Sequence, residues 1–240
     1  MTMPKAALAA TPSTRAQELQ TKLECRRLEE AVKLTQIGAM CALNMLLDLK
    51  DLRTGLHATR LAEWAVRVAE TLGVERSELS DIERASLLHD IGKIGVPDEV
   101  LFKPGKLDEQ ETAIARRHPE YGWAILQSIP GFERASLLVL HHHERFDGTG
   151  YPAGLQGTEI PLGARIVAVV DAYDAMISDR AYRKGLPPEE AIRRLRADKH
   201  SQFDPDVTEL FIAMTQRVES SGSFDQEIPA FTLPLAVTQT

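Results

Sequence analysis

Residues 85–93 have the sequence Ala85-Ser86-Leu87-Leu88-His89-Asp90-Ile91-Gly92-Lys93. An apolar helical face leads directly into a histidine and an aspartate, which places two potential metal ligands near the end of a helix. The carboxylate of Asp90 has two oxygens and can bridge two cations, whereas a single imidazole nitrogen cannot. Lys93 follows three residues later, close enough to reach the same pocket. A lone His-Asp pair is a weak signal, and a capped helix end with a structural ion pair is the competing interpretation.

A second stretch pairs two histidines with a glycine-rich loop. It begins with His142-His143-Glu144 and leads into Asp147-Gly148-Thr149-Gly150-Tyr151-Pro152. Consecutive residues on a helix diverge by about 100°. Both histidines can therefore serve one centre only where the helix is ending, and the glycines indicate that it ends there. In isolation, a solvated polar helix end would explain the same pattern.

The histidines are the most informative residues of the chain. The seven stand at positions 57, 89, 118, 141, 142, 143 and 200, and six of them fall at the ends of predicted helices or beside acidic residues. Neutral imidazole is a good ligand for iron, manganese, zinc, nickel and copper, and carboxylates are hard ligands. A mixed set of histidines and aspartates therefore predicts a site for Fe, Mn or Zn.

The overall composition excludes several classes of protein. A net charge of −7 disfavours a broad basic surface for gripping long nucleic acid. Two cysteines, Cys25 and Cys41, cannot make a disulfide framework and indicate a reducing compartment. The most apolar stretch, Gly38 to Leu47, is about half of what a membrane span needs. We therefore expect a cytoplasmic protein without a membrane span.

The pattern along the chain predicts an all-α fold. Aromatic residues make up only 5% of the chain, while leucine and alanine are abundant, which favours helices over sheets. We expect a disordered N-terminus (1–14), an N-terminal helical segment (15–50), one catalytic domain (51–220) and a C-terminal tail (221–240). The helices of the domain are predicted near residues 54–72, 78–91, 108–117, 120–128, 132–142, 163–178, 187–197 and 205–218.

The N-terminal helix has two possible roles. Its charged and apolar residues are mixed as on a long amphipathic helix, with Leu19, Leu23, Leu34 and Leu49 on or near the apolar stripe. It either packs on the domain or mediates dimerisation or signal transmission, with a second copy or a signalling protein as partner. The heptad pattern is too irregular to indicate a coiled coil.

Taken together, these motifs resemble the HD-GYP family, an HD-domain subgroup of bacterial helical phosphodiesterases. The resemblance covers about residues 40–215, in order and with family-like spacing. The matching blocks are His57-Ala58-Thr59-Arg60, His89 through Lys93, Lys103 through Leu107, His118 followed by Gly122, His142 through Pro152, Val170 through Ala175, Arg180-Ala181-Tyr182-Arg183 and Phe203-Asp204-Pro205. The resemblance implies an HD-domain helical bundle with a long N-terminal helix and a glycine-rich GYP loop.

The resemblance also implies an activity in bacterial second-messenger signalling. The chain would hydrolyse cyclic di-GMP to linear pGpG, and slowly on to GMP, through a bridging hydroxide at a site with two divalent metal ions, Fe or Mn. His57, His89, Asp90 and Asp171 would hold one metal, and Asp90, His118, His142 and His143 the other. Asp90 and Lys93 would be catalytic. Lys93, Arg180, Arg183 and Tyr151 would bind the substrate.

The remaining acidic residues and histidines receive supporting roles. Asp174 lies one helical turn after Asp171 and is expected to support a ligand or the helix. Glu144 and Asp147 are expected to brace the loop. His141 is expected to be structural and His200 to lie on the surface.

One departure from the family pattern concerns the number of metals. Members with three metals carry a glutamate one helical turn before the first histidine, where this chain has Arg53. A cation there cannot ligate a metal and would repel a third ion, so the sequence predicts two metals and inefficient conversion to GMP. Two alternatives stay open: hydrolysis of another cyclic dinucleotide or nucleotide, and a non-catalytic scaffold that responds to the dinucleotide.

Overall fold

The computed structural model describes residues 12–51, 56–179 and 184–221. Within these ranges the regular secondary structure is entirely helical, as the sequence predicted. The α-helices are α1 (Pro12–Asp51), α2 (Leu56–Thr71), α3 (Arg76–Leu88), α4 (Asp98–Leu101), α5 (Glu109–Ala115), α6 (His118–Leu126), α7 (Glu133–His141), α8 (Leu162–Ile177), α9 (Pro188–Ala197) and α10 (Pro205–Ser221). Two 3-10 helices span Ile91–Gly95 and Gly157–Glu159.

The predicted helices are present, with informative differences at their ends. Helix α3 stops at Leu88 instead of continuing to residue 91, so His89 and Asp90 leave the helix before the 3-10 turn begins at Ile91. Helix α6 begins at His118 itself, two residues earlier than predicted. The four-residue helix α4 is too short to produce a periodic pattern, which is why the sequence did not reveal it.

One hydrophobic core lies among α2, α8, α9 and α10. It contains Leu61, Val68, Ile166 and Phe211, each fully buried. Complete burial of a side chain of this size contributes about 1.5–3 kcal/mol. This core fixes α2 against α8, the two helices that carry His57 and Asp171.

A second core lies among α1, α3, α6 and α7. Its buried members include Met40, Leu88, Ile91, Phe132 and Val139. Leu88 and Ile91 flank His89 and Asp90 directly in the sequence, so the packing of this core fixes the backbone that carries the His-Asp pair.

Helix α1 is docked at one end and exposed at the other. Its second half packs on the second core through Met40, with Ile37, Leu43 and Leu47 beside it. Every residue from 15 to 35 is exposed. Within the described residues, no helix combines the length and the apolar character that crossing a membrane requires.

The 3-10 helix after Asp90 lies unusually close to α6. A Cβ atom on Gly92 would overlap the carbonyl oxygen of His118 and the backbone nitrogen of Gly122. Only glycine allows this approach, which brings the His89-Asp90 segment and His118 together.

We predict that Gly92→Ala destabilises the protein by about 2 kcal/mol or more, because the added methyl group must push the backbone of α6 away. Thermal unfolding monitored by circular dichroism measures the effect. Gly38→Ala is the matched control, since no atom lies within 4 Å of the position of its Cβ. Because Gly38 is itself exposed on α1, its substitution by alanine should be neutral or slightly stabilising. Equal melting temperatures for the two variants would contradict the proposed close approach.

Candidate metal centre

Six predicted ligands form two triads. The ligand atoms of His57, His89 and Asp171 lie within 4.8 Å of one another, and so do those of His118, His142 and His143. The first triad is supplied by α2, the residue after α3 and α8, and the second by the start of α6 and the residues after α7. Helix ends make this convergence possible, because the chain turns there and adjacent histidines can face the same point.

Asp90 lies between the two triads. Its Oδ2 is 3.4 Å from Nε2 of His89, and its Oδ1 is 3.6 Å from Nε2 of His118. The two oxygens of one buried carboxylate therefore face different triads. This is the arrangement that a carboxylate bridging two cations requires.

Three of the histidines are oriented in the same way. In each, Nδ1 donates to the backbone carbonyl three residues earlier: His89 to Ser86 at 2.8 Å, His118 to Ala115 at 2.9 Å and His142 to Val139 at 2.6 Å. In a neutral imidazole, a proton on Nδ1 leaves Nε2 with its lone pair directed into the site. The backbone thus selects the tautomer that can bind a metal.

The inward nitrogens fit a metal. Nε2 of His57, His89 and His142 is buried without a hydrogen-bond partner in the described residues. Nε2 of His118 and Nε2 of His143 approach to 3.1 Å, which requires a proton or a cation between them. Buried polar atoms normally have a partner, and unpaired ones indicate a missing ion or water. A divalent cation in each triad would supply these partners.

His57 differs from the other histidines because its partner is a carboxylate. Its Nδ1 is hydrogen-bonded to Oδ2 of Asp174. The buried Asp174 also accepts from the guanidinium of Arg60 and, at 3.2 Å, from the hydroxyl of Ser178. Asp174 therefore orients His57, a role that its position one turn after Asp171 had suggested.

Burial and charge set the protonation of the site. Burial lowers the pKa of His118 and His142, and lowers that of His143 to about 4. Burial also acts to lower the pKa of His89, but the carboxylates of Asp90 and Asp171 outweigh it and raise the pKa to about 9. Without a bound cation, His118, His142 and His143 are thus neutral, whereas His89 holds a proton that a metal ion would displace on binding.

Lys93 lies beside the bridging position. Its Nζ is 2.6 Å from Oδ2 of Asp90, and its side chain is 16% exposed. Burial acts to raise the pKa of Asp90, but Lys93 and His89 hold it well below the usual value. Asp90 therefore stays ionised, and the ammonium group of Lys93 remains accessible at the edge of the site.

Tyr151 lies at the rim in a three-layer stack. Its ring is parallel to that of His143 at a centroid distance of 5.0 Å, and the guanidinium of the exposed Arg116 lies 5.1 Å from the centroid of the tyrosine ring. The loop is held by Glu144, whose carboxylate accepts from the backbone nitrogens of Ala153 and Leu155. The sequence predicted this bracing role for Glu144 but gave no signal for Arg116.

The other predicted residues have less direct positions. Asp147 accepts hydrogen bonds from Thr149 and Arg145 within the loop, and His141 is 3.5 Å from Glu144, apart from both triads. His200 is exposed, as expected. The predicted substrate-binding residues Arg180 and Arg183, and Arg53 before the first histidine, lie outside the described residues.

Comparison with known proteins places this chain in a family. Residues 41–207 match the family model described as HD domain. A cyclic di-GMP phosphodiesterase of Thermotoga maritima is 40% identical over 178 residues, which cover 73% of this chain and 48% of the relative. A cyclic di-GMP phosphodiesterase response regulator of Xanthomonas campestris is 41% identical over 72% of this chain and 46% of the relative. A 3′3′-cGAMP-specific phosphodiesterase of Vibrio cholerae is 40% identical over 69% of this chain and 32% of the relative. The chain thus spans about half or less of the length of these relatives.

Solved structures support the fold. The cyclic GMP-AMP-specific phosphodiesterase of Vibrio cholerae superposes with a TM-score of 0.60 at 18% identity, covering 76% of this chain and 49% of that protein. The HDG"Y"P protein of Bdellovibrio bacteriovorus superposes with a TM-score of 0.55 at 22% identity, covering 67% of this chain and 51% of that protein. Both likenesses concern the arrangement of the helices.

We predict that Asp174→Asn weakens metal binding at the triad that contains His57. The neutral amide can still accept a hydrogen bond but no longer offers His57 and Arg60 a negative charge, and loss of such a partner typically costs about 10–100-fold in affinity. Competition between the protein and a chelator for Mn(II), under anaerobic conditions, measures the affinity of each equivalent of metal. The affinity of the protein for one equivalent of metal should fall, and its affinity for the other should not change.

Asp147→Asn is the control, because Asp147 is a carboxylate of the same size that belongs to the loop. It should leave both affinities unchanged. If Asp174→Asn also left both unchanged, with the fold intact by circular dichroism, Asp174 would have no role in orienting a ligand.

Proposed function

The chain belongs to the HD domain family, with the motifs of its HD-GYP type, and we propose that it is a metal-dependent phosphodiesterase that hydrolyses cyclic di-GMP to linear pGpG. The observation that carries the proposal is the pair of triads joined by Asp90, with Lys93 at the same carboxylate. Hydrolysis of a phosphodiester needs positive charge around the phosphoryl oxygens and an activated water, and this site is built to concentrate positive charge.

The geometry of the two triads supports an assignment of the metal ligands. We assign His57, His89 and Asp171 to one divalent ion and His118, His142 and His143 to the other, with Asp90 shared. Imidazole and carboxylate together suit iron, manganese or zinc, and the resemblance to the HD-GYP family favours iron or manganese among them. When bound, two such ions lower the pKa of a water molecule and neutralise charge on the phosphoryl group.

Lys93 has a separate electrostatic role. Its ammonium group is held by Asp90 at the edge of the site, where the scissile phosphate must approach. Because that position is preorganised, Lys93 stabilises the negative charge that develops in the transition state without reorganising. Asp90 therefore fixes the lysine and would also contribute a ligand to both metal ions.

The rim provides contacts for the rest of the substrate. Tyr151 offers an aromatic surface, and Arg116 offers an exposed guanidinium beside it. A guanine base can stack on these groups, and the second phosphate can pair with Arg116. Arg180 and Arg183 are further substrate-binding residues by resemblance to the family.

A second cyclic dinucleotide, 3′3′-cGAMP, is the alternative substrate. Relatives at 40% identity include both cyclic di-GMP phosphodiesterases and a 3′3′-cGAMP-specific enzyme, and both substrates have the same scissile linkage. We favour cyclic di-GMP because the first two relatives compared above have that name. Arg53, in place of the third-metal glutamate, favours pGpG over GMP as the product. A cytoplasmic location is part of the proposal, since Cys25 and Cys41 are both unpaired.

The test is hydrolysis by protein loaded anaerobically with Fe(II) or Mn(II), using cyclic di-GMP and 3′3′-cGAMP in parallel and separating the products by chromatography. We expect pGpG to accumulate from cyclic di-GMP, with a higher kcat/KM than for 3′3′-cGAMP. Asp90→Asn should lower kcat by about 100-fold or more, because it removes both the bridge and the anchor of Lys93. The exposed His200→Asn is the control and should retain full activity.

Each alternative has a distinct result. Preferential cleavage of 3′3′-cGAMP would show that this dinucleotide, and not cyclic di-GMP, is the substrate. Accumulation of GMP would contradict the inference from Arg53. Absence of hydrolysis by protein that holds two metals would refute the proposed activity and favour a binding role.

A further inference from the structure

Large exposed apolar side chains are concentrated on α1. In the described part of the chain, eight of the twelve large hydrophobic residues with exposed side chains belong to this one helix. They are Leu19, Leu23, Leu28, Val32, Leu34, Met45, Leu46 and Leu49. Four of them, Leu28, Val32, Leu46 and Leu49, lie within about 100° of one another around the helix axis, and a contiguous exposed apolar patch is typical of a surface that binds another protein.

The exposed half of α1 also lacks stabilising contacts. Residues 15–35 are all exposed, so none of the described residues of the chain buries this half of the helix. Most helical stability in proteins comes from packing an apolar face against another element. A partner that covers α1 would provide that packing.

A heptad seam becomes visible once the docked residues are set aside. Ile37, Met40, Leu43 and Leu47 pack on the domain. The seam then consists of Cys25, Leu28, Val32, Thr35, Ala39, Ala42, Leu46 and Leu49. These positions alternate in spacing between three and four residues, which is the a/d pattern of a coiled coil. The sequence alone looked irregular because two apolar faces are superimposed on one helix.

The seam and the docked face point in different directions. At about 100° per residue, Ala42, Leu46 and Leu49 lie roughly 120–200° around the helix axis from the buried Met40. Ala42, Leu46 and Leu49 are exposed, whereas Ala39 is half-buried. A second helix can therefore run along the seam while α1 stays docked on the domain.

We propose that this seam is the interface with a second copy of this chain, which forms a two-stranded coiled coil through α1. A heptad seam is self-complementary, so a symmetric dimer needs no other surface. Val32 at an a position, with Leu28 and Leu49 at d positions, agrees with a two-stranded coil. The middle of the seam, with Thr35, Ala39 and Ala42, has small side chains. The charges along residues 15–35 are of mixed sign, which disfavours an anionic lipid surface as the occupant.

The test is the mass of the full chain in solution by sedimentation velocity, from about 1 to 100 µM. The wild-type protein should sediment at twice its chain mass of 26.6 kDa. The double variant Leu28→Glu with Val32→Glu places charges in the seam and should raise the dimer dissociation constant at least tenfold. Far-UV circular dichroism should lose helical signal as that variant dissociates, while thermal unfolding of the domain remains cooperative.

Leu34→Glu is the matched control. Leu34 lies on the same helix and is 69% exposed, compared with 63% for Leu28, but it is outside the seam. This variant should remain dimeric with unchanged helicity. A wild-type monomer at 100 µM would overturn the proposal. A dimer that survives the double variant, or one that Leu34→Glu disrupts equally, would overturn it as well. None of these outcomes depends on whether the chain hydrolyses a dinucleotide.

Discussion

The site depends on one buried negative charge. Asp90 is 7% exposed and stays ionised, with its two oxygens facing two groups of histidines. An ionised carboxylate in the interior is costly unless cations and hydrogen bonds compensate it. Lys93 supplies one positive charge, and the two triads are arranged to hold more. The surrounding structure is therefore organised to keep cations next to Asp90.

Helix ends provide that organisation. His89, His142 and His143 follow the last turns of α3 and α7, and His118 begins α6. At His89, His118 and His142 the carbonyl three residues earlier holds Nδ1, so the geometry of the helix end also selects the tautomer. The two hydrophobic cores hold these helix ends in fixed positions relative to one another. Gly92 permits the approach of the segment that carries Asp90 to α6, so stability and metal binding depend on the same contacts.

The sequence predicted the helical fold from local patterns, whereas the members of both triads followed from the resemblance to the HD-GYP family. His89-Asp90 and His142-His143 are recognisable from a few neighbouring residues and match the family blocks. The hydrogen bond between His57 and Asp174 joins residues 117 positions apart, and only the packing of α2 on α8 brings them together. Asp174 was suspected from its spacing to Asp171, but its partners were not predictable.

Two features could not be predicted from the sequence, each for a physical reason. Arg116 becomes part of the rim only because α5 ends beside the loop that carries Tyr151, and a lone arginine has no periodic or motif signal. The seam of α1 was hidden because its apolar residues and those of the docked face share one helix. The structure separates them by showing which face the domain covers.

The central claim is that Asp90 joins two metal positions, and anomalous diffraction tests it most directly. Crystals of protein loaded anaerobically with Mn(II) would be measured on both sides of the manganese absorption edge. We predict two peaks, one among His57, His89 and Asp171 and one among His118, His142 and His143, with Asp90 between them. A single peak, or two peaks that Asp90 does not contact, would contradict the account.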